Sequence, residues 1–134
     1  MTSNTDIIRA TYEGTPAENG AHLKVALVLD ATWTEAAGFP YAGTYIGHDA
    51  IVANVFQRLA TEWDGYAAKV HTYLVEEGDR VAAFGLYSGT YRATGKAMSA
   101  TFAHLYRLVD GKIVTMEQYV DSATVKAALG DGAD

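Results

Sequence analysis

The chain of 134 residues contains no cysteine. That single absence excludes disulfides, thiolate catalysis and cysteine-ligated zinc, and it fits a reducing compartment. No apolar run approaches the roughly 20 residues that a bilayer span requires. The start, Met1-Thr2-Ser3-Asn4-Thr5-Asp6, has neither the basic residues nor the apolar stretch of a signal peptide. A cytoplasmic protein with no membrane partner is the expectation. The net charge of −6 is spread along the chain without a lysine or arginine cluster, so nucleic acid, whose binding depends on phosphate contacts, is not an expected partner. The spacings His-x-x-x-His and His-x-His are missing, and the glycines form neither a G-x-G-x-x-G nor a phosphate loop. Neither a metal nor a cofactor is expected.

What is present is enough for one core. With 49% hydrophobic and 19% charged residues, the chain suits one compact domain and is too short for two ordinary ones. Residues 1–129 read as that domain, and Gly130 to Asp134 as a flexible tail. Ile7, Ile8, Thr11 and Tyr12 form an apolar stripe at helical spacing, with Ser3 and Asp6 placed to cap the first turn. Thr15-Pro16-Ala17-Glu18 offers a second capping box, with Asn19 as a competing cap, for a helix that covers Leu23 and Leu27 and ends near Asp30. After Gly47-His48-Asp49, the residues Ile51, Val52, Val55, Phe56 and Leu59 predict one face of a third helix.

From Ala67 onward the period changes from 3.6 to 2. Lys69 to Glu76, Arg80 to Arg92, Lys96 to Val109 and Lys112 to Asp121 predict an antiparallel meander with turns at Gly78-Asp79, Thr94-Gly95 and Asp110-Gly111. Asp-Gly between alternating runs is a strong hairpin signal, because both turn positions tolerate positive φ. In the third strand Met98, Phe102, His104, Tyr106 and Leu108 share one face, and Thr101, Ala103, Leu105 and Arg107 the other. Both faces carry apolar residues, so both need cover. Helices are expected on one face and a second subunit on the other. A short helix from about Ser122 to Leu129 closes the chain.

Five segments carry a family resemblance: Asp30 to Glu35, Tyr45 to Ile51, Phe102 to Leu108, Asp110 to Val114 and Gln118 to Asp121. Their order and spacing resemble the nuclear transport factor 2-like superfamily, and within it the SnoaL-like polyketide cyclase and ketosteroid isomerase-like group. The resemblance covers nearly the whole chain. It implies an α+β, cystatin-like fold in which a cone-shaped curved antiparallel sheet wraps three N-terminal helices and leaves an apolar pocket. It also implies a homodimer through the outer sheet face. Reaction type is less constrained, since one fold hosts many chemistries.

Carried over residue by residue, the resemblance names two candidates, Glu35 and Asp121. Glu35 falls where ketosteroid isomerases hold a proton-shuttling carboxylate, though it is one methylene longer than their aspartate. The isomerases' protonated aspartate falls at Ala103, beside His104, and their tyrosine has no unambiguous counterpart near Thr11 and Tyr12. Asp121, in Tyr119-Val120-Asp121, matches the pocket carboxylate of SnoaL-like cyclases and limonene epoxide hydrolase-like enzymes. The hydrolases also need an arginine on an adjacent strand, and Arg92 and Arg107 are both predicted on the face opposite His104.

Each candidate has a structural alternative. Asp121 is either a general acid/base with a raised pKa or the N-cap of the last helix. His104 is either a base or hydrogen-bond donor, or a core histidine bonded to a tyrosine. Glu35 is either the isomerase-like base or a solvent-facing residue at a loop entrance. Trp33, Phe39, Phe56, Tyr73, Tyr87, Phe102, Tyr106 and Tyr119 are either pocket lining or plain core. His48 reads as structural, and His22 and His71 have no identifiable carboxylate partner. The function expected is cofactor-independent acid/base proton transfer, of isomerase or cyclase type, on a small apolar carbonyl compound. The alternatives are a non-catalytic binder of a small hydrophobic ligand and a dimeric scaffold.

Overall fold

Ser3 and Thr15 open the first two helices, as local capping chemistry requires. The computed structural model describes residues 2–77 and 79–130. In α1 (Asn4–Ala10) the Ser3 hydroxyl accepts the Asp6 N–H at 3.1 Å. In α2 (Pro16–Ala26) Thr15 and Glu18 form a reciprocal capping box, with Pro16 at the start where its missing N–H costs nothing. Asn19 is not the cap. It lies inside α2, accepts from the Gly14 N–H and donates to the Tyr12 carbonyl, fastening the turn between the helices.

The second helix stops at Ala26, short of the expected end near Asp30, because Leu27 turns extended and β1 (Leu27–Glu35) begins at once. This strand pairs in parallel with the distant β6 (Lys112–Val120) and antiparallel with β2 (Gly43–Ile46), a four-residue strand too short for periodicity to mark. Tertiary ladder bonds override local helix preference there. The third helical run passes from α3 (His48–Ile51) through a π-helical segment (Val52–Phe56) into α4 (Gln57–Glu62). In it the Gln57 N–H reaches back five residues to the Val52 carbonyl, which widens the turn.

The remaining elements are β3 (Trp63–Glu76), β4 (Arg80–Tyr91), β5 (Ala97–Val109) and α5 (Ser122–Leu129). The strand order is β2-β1-β6-β5-β4-β3, an open curved sheet, antiparallel except for β1 with β6. The expected meander and its Asp110-Gly111 turn are present, with φ of 51° and 74° at the two turn residues. Gly78 of the expected Gly78-Asp79 turn, and residues 131–134 of the expected tail, lie outside the described residues. β3 begins at Trp63 rather than Lys69, and its register shifts twice, between Asp64 and Ala67 and between Val70 and Thr72. At the second shift the two strands press so close that a Cβ on Gly85 would lie 2.0 Å from the Lys69 carbonyl oxygen. Such bulges bend a sheet.

The curve brings β5 onto the helices. Met98, Ala100, Phe102, His104, Tyr106 and Leu108 all face inward and are buried, as alternation requires. Ile8, Leu23, Ile51 and Val55 pack from the helices against Trp33, Tyr106 and Met116, while Val125 and Ala128 of α5 close the far end against Phe102. Leu74, Leu86 and Tyr119 remain exposed on the outer face. Among the described residues, no helix is long and apolar enough to cross a membrane.

Candidate functional site

Four strands, β1, β3, β4 and β5, aim side chains into one cavity of about 870 Å³ between the sheet and the helices. On β1 the alternation that buries Ala31 and Trp33 also buries Glu35. On β4 it turns Tyr87 inward, and on β5 His104 and Tyr106. Leu23, Val52, Val55, Phe56 and Leu59 supply an apolar wall from the helices, and Tyr12 comes from the residues just after α1.

Glu35 is not solvent-facing. It is 4% exposed, and its Oε2 accepts the Trp33 indole N–H at 3.1 Å. One hydrogen bond cannot replace the water that a carboxylate loses, so desolvation raises its pKa to about 8 from the ordinary 4.5, against a smaller lowering by the indole. Below that pH it is a neutral acid. Its charge, when present, is felt by Tyr66, Tyr87 and Tyr106, whose hydroxyls are pushed up chiefly by their own burial.

His104 sits at the centre of an uncharged relay. Its Nδ1 bonds the Tyr12 hydroxyl, which bonds the Tyr106 hydroxyl, and its Nε2 bonds the Tyr87 hydroxyl. Gln118, opposite His104 in register, anchors one end: its Oε1 accepts the Ala36 N–H at 2.9 Å, so its Nε2 donates to Tyr87 at 2.8 Å. Burial alone pushes the imidazole down to about 3. A neutral imidazole donates from one nitrogen and accepts at the other, so the relay can order its protons in either direction without creating a charge. His104 is thus the tyrosine-bonded core histidine of the structural reading, and it also lines the cavity.

Asp121 is elsewhere. β6 ends at Val120, and the exposed Asp121 carboxylate caps α5 by accepting from the Thr124 N–H at 3.2 Å and from its hydroxyl. These bonds hold its pKa below the ordinary aspartate value. The structure does not bring it to His104. Of the expected lining residues, Trp33, Phe56, Tyr87 and Tyr106 face the cavity, whereas Tyr73, Phe102 and Tyr119 do not. Phe102 stacks behind Tyr87 at 4.2 Å between ring centres. Tyr73 donates to Glu13 at 2.9 Å beneath the Arg9 guanidinium. Tyr119 points outward, 55% exposed, because Met116 and Gln118 take the inward parity of β6. Phe39 is also core, set against Tyr41 and Tyr87.

Sequence reasoning missed Tyr12, Tyr66, Trp63 and Gln118. Gln118 carried a signal, as a polar residue at an inward position opposite His104. Tyr66 carried none, since the strand was expected to start three residues later. His48, read as structural, borders the cavity, and so does Arg92, predicted on the opposite face. Alternation ends at Tyr91, the last residue of β4, so Arg92 no longer obeys it. Arg107 does lie on the outer face, exposed. Among the described residues no group of three His, Cys, Asp or Glu side chains could hold a metal ion.

Residues 8–116 match the family model described as a SnoaL-like domain. An NTF2-like protein from Burkholderia thailandensis E264 is similar at 42% identity and a TM-score of 0.90, over 97% of this chain and 99% of that one. The structure of TerC co-crystallised with polyporic acid shares the fold at 24% identity and a TM-score of 0.82, over 96% and 98% of the chains. A protein with a ketosteroid isomerase-like fold from Catenulispora acidiphila DSM 44928, in complex with trimethylamine, does so at 21% identity and a TM-score of 0.78, over 99% and 98%. No curated protein matches the chain.

Proposed function

The chain belongs to the SnoaL-like domain family, and from that premise we propose that it is a small-molecule pocket protein performing cofactor-independent proton transfer on an apolar carbonyl compound. The observation that carries this reading is Glu35, a carboxyl buried in the cavity wall with its pKa raised to about 8. A base poised near the working pH is both present in its ionised form and strong enough to remove a proton next to a carbonyl. About one-tenth of the molecules carry the carboxylate at pH 7. Glu35 takes the proton, and a hydroxyl of Tyr66, Tyr87 or Tyr106 donates to the oxygen that gains charge. Returning the proton from Glu35 to a different carbon completes an isomerisation; attack of the enolate on a second carbonyl closes a ring, and the proton held by Glu35 passes to the alkoxide so formed. Asp121, occupied as a helix cap, has no part in it.

That TerC was co-crystallised with polyporic acid supports an organic ligand in this fold. The test needs no knowledge of the natural substrate. Cyclic and aryl ketones in D2O are followed by NMR for deuterium entering next to the carbonyl, with wild type and Glu35→Gln compared. Exchange catalysed by the wild type, rising with pH through about 8 and reduced about 100-fold or more in the variant, is expected. Equal exchange in both would remove Glu35 from the chemistry. Ligand binding without exchange would leave a non-catalytic binder.

We also propose a homodimer through the outer sheet face. Phe84, Ala103 and Tyr119 lie in one row across β4, β5 and β6, and Leu74, Ala82 and Leu105 in another across β3, β4 and β5. Sedimentation equilibrium of the wild type against Leu86→Glu tests it, and a monomeric wild type would end it.

A further inference from the structure

Resting on the pocket reading above, we propose that the ligand is an amphipathic anion, whose apolar body fills the cavity while its acidic group pairs with Arg92 at the mouth. The lining residues Pro16, Gly20, Ala60, Gly65 and Arg92 are exposed and mark where the cavity opens, whereas Glu35 and His104 are buried. Entry from the mouth therefore meets a cation first and neutral groups afterwards. Arginine remains protonated in proteins. At neutral pH His104 is uncharged and Glu35 mostly so, burial keeps the protons on Tyr12, Tyr66, Tyr87 and Tyr106, and His48 completes the titratable lining.

Arg92 is also held ready. Its Nε forms an ion pair with Asp64 at 2.7 Å, one Nη donates weakly to the Ala60 carbonyl at 3.4 Å, and its backbone N–H donates to the Glu62 carbonyl at 3.0 Å. Among the described residues its other Nη has no partner, so the planar fork is oriented by Asp64 with donors to spare. Asp64 is itself 65% exposed and does not line the cavity. Solvent therefore screens its claim on the guanidinium, and a bound anion can share the fork with it. The cavity's own wall is apolar helix on one side and tyrosine hydroxyls on the other, which suits an aromatic body carrying oxygen atoms along one edge.

Two dyes that differ only by a sulfonate separate the charge from the body: 8-anilinonaphthalene-1-sulfonate and neutral N-phenyl-1-naphthylamine. Their affinities are measured calorimetrically for wild type, Arg92→Gln, Arg92→Lys and Asp64→Asn, with Leu59→Trp as a filled-cavity reference. Arg92→Gln should weaken the sulfonate at least tenfold and leave the neutral dye within twofold. Arg92→Lys should restore part of the loss, and Asp64→Asn should tighten the sulfonate several-fold. A wild-type sulfonate affinity that Arg92→Gln leaves unchanged, or an equal loss for both dyes, overturns the anion assignment while the pocket stands. If Leu59→Trp abolishes binding of neither dye, the cavity admits neither, and the pocket reading falls with it.

Discussion

Replacing Glu35 by glutamine should remove a pH dependence of folding stability that the wild type cannot avoid. Below pH 4.5 the carboxyl is protonated in folded and unfolded chains alike, and it adds nothing to the balance. Between 4.5 and about 8 the unfolded chain releases the proton while the folded chain keeps it, so stability falls as pH rises. Above about 8 both are ionised, and the full penalty of a buried charge is present. The gap between the two values, at about 1.36 kcal/mol per pKa unit, amounts to about 5 kcal/mol. That is a large share of the 5–15 kcal/mol, roughly, that holds a domain together. Glutamine preserves an oxygen for the Trp33 indole N–H and cannot ionise. Urea unfolding of both proteins, from about pH 4 to pH 9 in steps, gives the difference in which every other titration cancels. The variant should match the wild type at the acid end and exceed it progressively, by up to about 5 kcal/mol, at the alkaline end. A difference that stays constant with pH would refute the assignment of a buried, neutral Glu35.

Three further outcomes follow from other parts of the same fold. His104, at about 3 when folded and 6.5 when unfolded, has the opposite sign: stability is lost as pH falls from 6.5 toward 3, and the nitrogen-15 shifts of its ring at pH 5 should still be those of neutral imidazole. Asp121→Ala should lower stability measurably in thermal or urea unfolding through loss of the α5 cap, and leave deuterium exchange into ketones unchanged. A loss of exchange matching that of Glu35→Gln would restore Asp121 to the chemistry. Gly85→Ala must push β3 and β4 apart, since its Cβ would meet the Lys69 carbonyl at 2.0 Å; a loss above about 3 kcal/mol is expected by urea unfolding, and a variant as stable as wild type would show that the bulge can yield.

Local chemistry was legible along the chain wherever the deciding contacts are near neighbours. The Ser3 cap, the Thr15–Glu18 box, the Asp110-Gly111 turn and the limits of α5 each depend on residues within four positions of one another. Alternation also placed His104 and Tyr106 on the buried face of β5, and the same rule applied to β6 would have turned Tyr119 outward. Only the tertiary structure decided the rest. The parallel ladder between β1 and β6 joins segments about eighty residues apart and carries β1 to Thr34, and the antiparallel pairing with β2 takes it on through Glu35, a buried carboxyl readable as a loop residue. Two register shifts in β3 and the end of β4 at Tyr91 changed which side chains face the cavity, admitting Tyr66 and Arg92, while Tyr73, opposite the buried Ala83, packs beside Tyr12 instead of lining it. Asp121 had two roles open to it, and the strand's end at Val120 chose the cap. Identity and spacing set what each residue is able to do; burial and long-range pairing determined which of those abilities meet in one place.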